Sequence, residues 1–400
     1  MEDLEFFDIC IIGASIAGNY LAYLLRNTDL KIAIIEEHKE IGRPLQCAGI
    51  ISQKLTKLID IPEEIILNRV SVAKAVSPSG KYVKLKGEEK PYIVNRVALD
   101  KLFYGKVKDN ENIHLFLKEK FLSFEYILKN GQKITIIKTN KRNLNARILV
   151  GCDGSLSSVA KSLGIKNMNL YATQIRIKDL RFNQNEAVMY FNPKWKELFG
   201  WIVPEGNGIN RIGLASSSNL KEKFTLFLKM LKINKDSIID RQGGLIPYGT
   251  MNKVAFNNVL LLGDSACQVK ATSGGGIVML LEAAKYAAAC IIRCFIVQDF
   301  SKRNIKRYYE RVCQRTIGKQ LKVHFIISSI FESFNPEHWD QLFQIVKTKN
   351  IEEIISFYGD MDFPNRLFLK LLMNHMIFKF TTNILLKNPK LIVKLLTKLI

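Results

Sequence analysis

A strand, a glycine-bearing turn and a helix at the start of the sequence constrain this chain more than any other feature. Asp8 to Ile12 is a short apolar run, Gly13 to Gly18 is a turn, and Asn19 to Arg26 reads as a helix. Lys31 to Ile35 is a second apolar run that ends at Glu36. This is the spacing of a βαβ unit, with Gly13 and Gly18 at the first and third fingerprint positions, Ser15 at the second, and Ala17 beside the last. A pyrophosphate cannot approach bulky Cβ atoms and is stabilised by the free N–H groups of a helix N-terminus, so this turn is suited to a dinucleotide. Glu36 would accept hydrogen bonds from both ribose hydroxyls and repel a 2′-phosphate, so an adenosine without that phosphate is expected. An ordinary βαβ turn without a ligand is the alternative.

Further along, Gly42-Arg43-Pro44-Leu45-Gln46-Cys47-Ala48-Gly49 is a basic loop whose glycines and proline oppose regular structure. From about Val70 to Lys138 short β-rich runs alternate with turn signals such as Ser77-Pro78-Ser79-Gly80 and Lys129-Asn130-Gly131-Gln132, a pattern of antiparallel strands. Asn95 to Lys106 reads as a helix, and Arg147 to Val150 as a buried strand leading into Gly151-Cys152-Asp153-Gly154. Strands follow at Ala187 to Phe191, Gly200 to Val203 and Arg211 to Ala215, with a helix at Leu220 to Leu231. Asn258 to Leu262 is another apolar strand, Gly263 to Gly276 a second glycine-bearing turn, and Ile277 to Val297 a helix. The remainder is helical, with breaks at Pro336 and Pro364.

The expected class is α/β (α+β overall). A Rossmann-like dinucleotide domain (1–70, 95–165 and 245–300) is interleaved with an antiparallel-sheet substrate domain (71–94 and 166–244), and a helical, basic C-terminal region (301–400) follows. A chain of 400 residues accommodates two such domains, and 48% hydrophobic against 24% charged residues excludes wholesale disorder.

The formal charge of +22 is carried by lysines scattered along the chain. That pattern suits an anionic membrane surface or an acidic protein better than nucleic acid, for which no accompanying motif exists, so no nucleic-acid partner is expected. Seven cysteines without a CxxC pair indicate neither a disulfide framework nor a zinc site. His38, His114, His324, His338 and His375 show no metal-like spacing and are assigned no catalytic work, so no metal is expected. Met1 to Phe7 lacks the features of a signal peptide, and no run of about 18 uncharged apolar residues occurs. A cytoplasmic protein, peripheral at a membrane, is expected.

Val150-Gly151-Cys152-Asp153-Gly154-Ser155, with Ser158 and Leu163-Gly164, resembles the Asp-Gly segment of flavoprotein hydroxylases of the p-hydroxybenzoate-hydroxylase-like superfamily. Leu261-Leu262-Gly263-Asp264-Ser265-Ala266 followed by Gly274-Gly275-Gly276-Ile277 resembles their Gly-Asp segment, and Asn95-Arg96-Val97-Ala98-Leu99-Asp100 their Arg-x-x-x-Asp helix. Together with the first turn these stand in the family order, and the resemblance implies FAD as cofactor. Within the superfamily the chain is similar to the geranylgeranyl reductases, including the archaeal digeranylgeranylglycerophospholipid reductases, over about residues 8 to 320. Pro44-Leu45-Gln46-Cys47-Ala48-Gly49 is similar to their Pro-x-x-Cys-Ala/Gly segment, and Phe199-Gly200-Trp201-Ile202-Val203-Pro204 to their Tyr-x-Trp-x-Phe-Pro segment. Phe199 and Val203 depart from the usual tyrosine and phenylalanine, and Ala271 stands where a proline is usual.

The resemblance implies saturation of isoprenoid double bonds. An isolated alkene has no carbonyl to draw in hydride, so the site should be apolar with one acid. Cys47 is the candidate proton donor, or else a small wall of the cavity. Phe199, Trp201 and Pro204 are the candidate substrate-binding residues. Cofactor contacts are expected from Gly13, Ser15, Ala17, Gly18, Glu36, Cys47, Ala48, Gly49, Arg96, Asp264, Gly275, Gly276 and Ile277, whereas Asp153 orders its own turn. From Leu367 to Ile400 no acidic residue occurs while lysines interrupt apolar residues, as in an interfacial helix or one that packs on the body. With no second nicotinamide fingerprint, an acidic ferredoxin or similar small carrier would supply electrons. An FAD monooxygenase acting on an apolar substrate and a non-catalytic flavin-containing lipid binder are the alternatives.

Overall fold

The computed structural model describes residues 5–87, 89–129, 131–348 and 351–399. Met1 to Leu4, the turn position Asn130 and Ile400 lie outside them. The apolar runs of the sequence become the centre of a large sheet, in the parallel order Val259–Leu261, Asn143–Gly151, Phe6–Ile12, Ile32–Glu36 and Ile113–Leu117. Ile9, Ile11, Ile34, Leu149 and Val150 are fully buried, as a sheet covered on both faces requires. The hairpin Phe121–Lys129 and Gln132–Thr139 continues antiparallel from Asn143–Gly151.

The first helix spans Ile16–Leu25, so it starts three residues before the expected Asn19. Gly18 allows this early start, because a Cβ there would meet the Gly13 carbonyl oxygen at 2.0 Å. The long helix Ile277–Val297 and the helix Arg96–Gly105 both pack against Ile16–Leu25.

The second sheet has the order Ile238–Pro247, Asn169–Lys178, Ile209–Ser216, Gly200–Gly206, Glu186–Tyr190, Val72–Val76, Tyr82–Leu85. All neighbours are antiparallel except Val72–Val76 and Glu186–Tyr190, which pair in parallel because the chain returns to the sheet only after the whole intervening helix-and-hairpin excursion. A small sheet of Ile50–Ile51, Tyr92–Val94 and Ile66–Arg69 bridges the two.

Beyond Ile277–Val297 the structure is helical. Between Lys302 and Glu332 two π-type turns, Lys306–Glu310 and Gln314–Gly318, interrupt the α-helix. Pro336 opens a helix to Thr348, and Pro364 immediately precedes Asn365–Leu372. Among the described residues, no helix is long and apolar enough to cross a membrane.

Candidate active site

The parallel strands deliver their C-terminal ends to one edge of the large sheet, where ligands of doubly wound folds bind. Gly13 sits there with φ +101°, and a Cβ on it would lie 2.5 Å from the carbonyl oxygen of Cys152. Only glycine fits. Ser15 caps the first helix from an extended backbone without a side-chain hydrogen bond, and no acid lies in that helix's first turn. Its N-terminal N–H groups are therefore suited to an anion. Glu36 accepts from Ala14 N–H at 2.8 Å through one oxygen, and through the other from His38 N–H at 2.9 Å and the His38 ring at 2.6 Å. One acceptor position of a carboxylate's four remains for a ribose hydroxyl, and a second hydroxyl would displace His38.

The second glycine turn meets the first. A Cβ on Gly263 would lie 3.4 Å from that of Ala17, joining residues that the sequence separates widely. Gly274 takes φ +70°, and Gly276 caps Ile277–Val297 with no acid in the first turn and no side-chain cap. A Cβ on Gly276 would approach Asp264 Oδ1 to 3.6 Å, so the turn that Gly275, Gly276 and Ile277 follow passes beside that carboxylate at Gly276. Burial pushes the Asp264 carboxyl up to about 6, partly countered by Arg96.

Arg96 is partly buried, pairs with Asp100 at 2.9 Å, and lies within charge range of both Cys47 and Asp264. Its Nε has no hydrogen-bond partner. An unsatisfied guanidinium nitrogen beside a buried carboxylate, two side-chain-free turns and two bare helix N-termini fit a dinucleotide carrying phosphates and polar hydroxyls. Asp153 accepts from Ser157 Oγ at 2.5 Å and Val159 N–H at 3.1 Å, ordering its own turn.

The Cys47–Gly49 loop is held against the second sheet. Gln174 Nε2 donates to the Cys47 carbonyl at 3.0 Å, and Arg211 to that of Ala48 at 2.7 Å. Gly49, at φ +73°, passes so close to Arg211 that a Cβ would stand 2.2 Å from its Nη1. Gly49 N–H in turn points at Cys47 Sγ, 3.3 Å away. Gln174 also accepts from the Trp201 indole N–H at 3.2 Å, so loop and aromatic wall share one amide. Trp201 lies flat over Gly213, where a Cβ would strike the indole at 2.2 Å.

Trp201, Phe199, Ala48, Ile50, Ala271 and Phe325 belong to one apolar cluster at the junction of both sheets and the C-terminal helices. A crevice runs from Thr272 and Phe199 past Leu198 and Ser328 to Phe331 and Trp339. Phe199 lines it directly, while Trp201 stands in the wall behind. Pro204 is not among its lining residues; it sits at a bulge, its carbonyl accepting from Asn68 at 3.0 Å.

Sequence reasoning missed Gln174 and Arg211, as well as a buried group formed by Lys270, Thr272, His324 and Asp362. Arg211 carried a signal, being a cation inside the apolar run Ile209–Ser216, and so did Lys270 between Val269 and Ala271. His324, assigned no work, accepts at Nδ1 from the Thr272 hydroxyl at 2.7 Å.

Comparison with known proteins bears on this geometry. The profile of the FAD-binding domain family matches residues 7–223. An uncharacterised protein of Methanocaldococcus jannaschii is 29% identical over 378 residues, covering 92% of this chain and 95% of its own. Digeranylgeranylglycerophospholipid reductase 1 of Methanococcoides burtonii is 24% identical over 390 residues, covering 92% of this chain and 94% of its own. In fold, a geranylgeranyl bacteriochlorophyll reductase-like protein of Thermoplasma acidophilum superposes with a TM-score of 0.80 at 20% identity, over 97% of this chain and 99% of that one. A probable FAD-dependent monooxygenase of Pseudomonas aeruginosa gives 0.62 at 14% identity, over 85% of this chain and 100% of its own. The match across more than half the sequence, which takes in the first glycine turn, means that the chain belongs to the FAD-binding domain family and is an FAD-dependent oxidoreductase.

Proposed function

We propose that this enzyme saturates carbon–carbon double bonds of geranylgeranyl chains carried by a membrane lipid. The observation that carries the reading is the shared Gln174 amide, which ties the Cys47–Gly49 loop of the flavin side to the indole of an apolar, aromatic wall. The relatives named as digeranylgeranylglycerophospholipid reductases support the substrate class. A chain with long apolar contacts and few directional bonds suits the aromatic side of the crevice, Phe191, Phe199, Phe331 and Trp339, while Lys196, Glu197, Thr272 and Ser328 give the crevice a polar side.

In this reading Gly13, Ser15, Ala17 and Gly18 receive the pyrophosphate side of FAD, and Glu36 the adenosine ribose. Arg96 and Asp264 hold polar atoms of the chain between ribose and ring, and Cys47, Ala48, Gly49, Gly275, Gly276 and Ile277 flank the ring. Bound and reduced, FAD supplies the hydride. The protein excludes water, fixes the alkene against Phe199 and Trp201, and presents a proton from the Cys47 thiol. Pro204 acts through the strand that carries Trp201. Residues 1–70, 95–165 and 245–300 form the cofactor domain in this scheme, 71–94 and 166–244 the substrate domain, and 301–400 the region that closes the crevice. Electrons come from a small acidic carrier of the ferredoxin type, steered by the positive surface. The enzyme works at the face of an anionic membrane in the cytoplasm, where its substrate resides.

Mass spectrometry of lipids co-purified with the yellow protein, before and after anaerobic reduction, tests this. A gain of about two mass units per double bond is expected. Oxygen insertion on re-aeration, or flavin reoxidation that leaves lipid mass unchanged, would remove the reductase assignment.

A further inference from the structure

Beneath the second glycine turn lies a charge pair that the reaction scheme leaves unused. Lys270 is 5% exposed, and its backbone is woven into the turn: its N–H donates to the Gly275 carbonyl at 3.1 Å, and its own carbonyl accepts from Gly274 at 2.8 Å. Its ammonium reaches back under the turn, 3.4 Å from where a Gly275 Cβ would stand. That ammonium donates to Asp362 Oδ1 at 2.6 Å and to the Met361 carbonyl at 3.0 Å. Asp362 is 1% exposed, and its other oxygen has no partner.

The carboxylate comes from a distant part of the chain, the segment between helices Ile351–Tyr358 and Asn365–Leu372. Two further contacts fasten that segment. His324 Nε2–H donates to the Asp362 carbonyl at 3.2 Å, and Asp360 is ion-paired with Lys54. The groups facing the pair are thus His324, neutral beside Thr272, and the more distant Asp360–Lys54 pair.

Charges buried this deeply are poorly screened, so they act on neighbouring groups more strongly than surface charges do. A ring system that gains negative charge on reduction is stabilised by a cation beside it and destabilised by an anion, and protein charges near a flavin tune it in this way. We propose that the Lys270–Asp362 pair sets the reduction potential of the bound flavin, the ammonium raising it and the carboxylate of the C-terminal region holding it down. Lys270 and Asp362 are positioning residues in this role and take no part in bond making. The C-terminal helices thereby have an electrostatic hold on the cofactor, and any movement of the 360–363 segment away from Lys270 raises its potential. The inference rests on the FAD seat and not on the identity of the lipid, so the mass-spectrometric test can fail while this one succeeds.

Spectroelectrochemical titration of the flavin in the purified holoprotein tests it. Asp362→Asn keeps a hydrogen-bond acceptor for Lys270 and removes the negative charge, so the midpoint should rise. Lys270→Met leaves the carboxylate alone, so the midpoint should fall. Each change is expected to alter the two-electron reduction constant on the order of tenfold, which corresponds to about 30 mV. Opposite signs in the two variants are not expected of a packing defect. Unshifted potentials, or shifts in the same direction, overturn the proposal. Loss of flavin from both variants with circular dichroism intact also overturns it, since the pair would then be an anchor only. Should Lys270→Met alone lose flavin, the sign measured for Asp362→Asn decides.

Discussion

Asp264 carries a carboxyl that, among the described residues, receives no hydrogen bond from the protein, and its ionisation records that. Burial raises it to about 6 in the folded chain, against roughly 3.9 when unfolded. Because the folded value is the higher one, this group favours the fold when protonated. The contribution is complete below about pH 3.9 and is lost as pH rises through 6, a swing of about 3 kcal/mol by pH 7. Asp264→Asn, which cannot ionise, should therefore melt at a higher temperature than the parent apoprotein at pH 7, and the gap should close below pH 4. Its affinity for FAD should fall, because the carboxylate is the better acceptor for hydroxyl groups. Thermal melts of both apoproteins across this range, paired with flavin titrations, give the answer; equal melting points at pH 7 would refute it. Residue by residue, what was legible in the sequence was local. Gly13, Gly18 and Glu36 announce themselves because one βαβ unit contains them all. Arg211 bonds Ala48 across 163 positions, Gln174 bonds Cys47 across 127 and Lys270 bonds Asp362 across 92, and no spacing rule reaches that far.

Among the elements, periodicity located the strands Phe6–Ile12, Ile32–Glu36 and Val259–Leu261 to within two residues and the helix Ile277–Val297 at its true bounds, since each is a continuous apolar run or an uninterrupted helical stretch, whereas Asn169–Lys178 and Ile238–Pro247, with polar residues throughout, were not placed. It could not show that Val72–Val76 pairs in parallel with Glu186–Tyr190, because strand direction depends on the path between them. Nor could it show what the helix Lys319–Glu332 does. That helix brings His324 to the second glycine turn, where burial first, and then the Lys270 charge, lower its ionisation to about 4, against an opposing pull from Asp362 and Asp360. The folded value lies below the unfolded one of roughly 6.5, so the contact contributes fully above that pH. As pH falls from 6.5 towards 4 the contribution is lost, by about 3 kcal/mol. Amide hydrogen exchange in the helix should accordingly quicken over that window in the parent protein. His324→Gln, which retains hydrogen bonding without titrating, should show no such acceleration. The same pH response in both proteins would assign it elsewhere.

At the scale of the whole molecule, the C-terminal helices present two faces. Ile377, Ile384 and Leu391 are buried in the cluster that also holds Trp339 and Phe343, so one face packs on the body. On the other, Leu369, Met373, Phe378, Leu386, Val393 and Leu396 are each more than half exposed, beside the exposed Lys370, Lys379, Lys387 and Lys390. Apolar side chains flanked by lysines, with no acid to repel a headgroup, suit an anionic bilayer, and lysine stems let the ammonium groups spread onto its surface. The packed face also abuts Phe331 and Trp339 at the end of the crevice, so a bilayer on the outer face would lie near the substrate's entry. Each lysine near an anionic surface contributes about 1 kcal/mol, so reversing all four to glutamate should weaken binding to phosphatidylserine vesicles by at least on the order of a thousandfold. Vesicle sedimentation at physiological salt measures this, with neutral phosphatidylcholine vesicles as the reference. Activity on detergent-dispersed substrate should be unchanged, because none of the four lysines lines the crevice. Binding that survives the reversal would mean that these helices serve the fold alone, and a concentration-dependent change in sedimentation of the lipid-free protein would assign the exposed face to contact between copies of the chain.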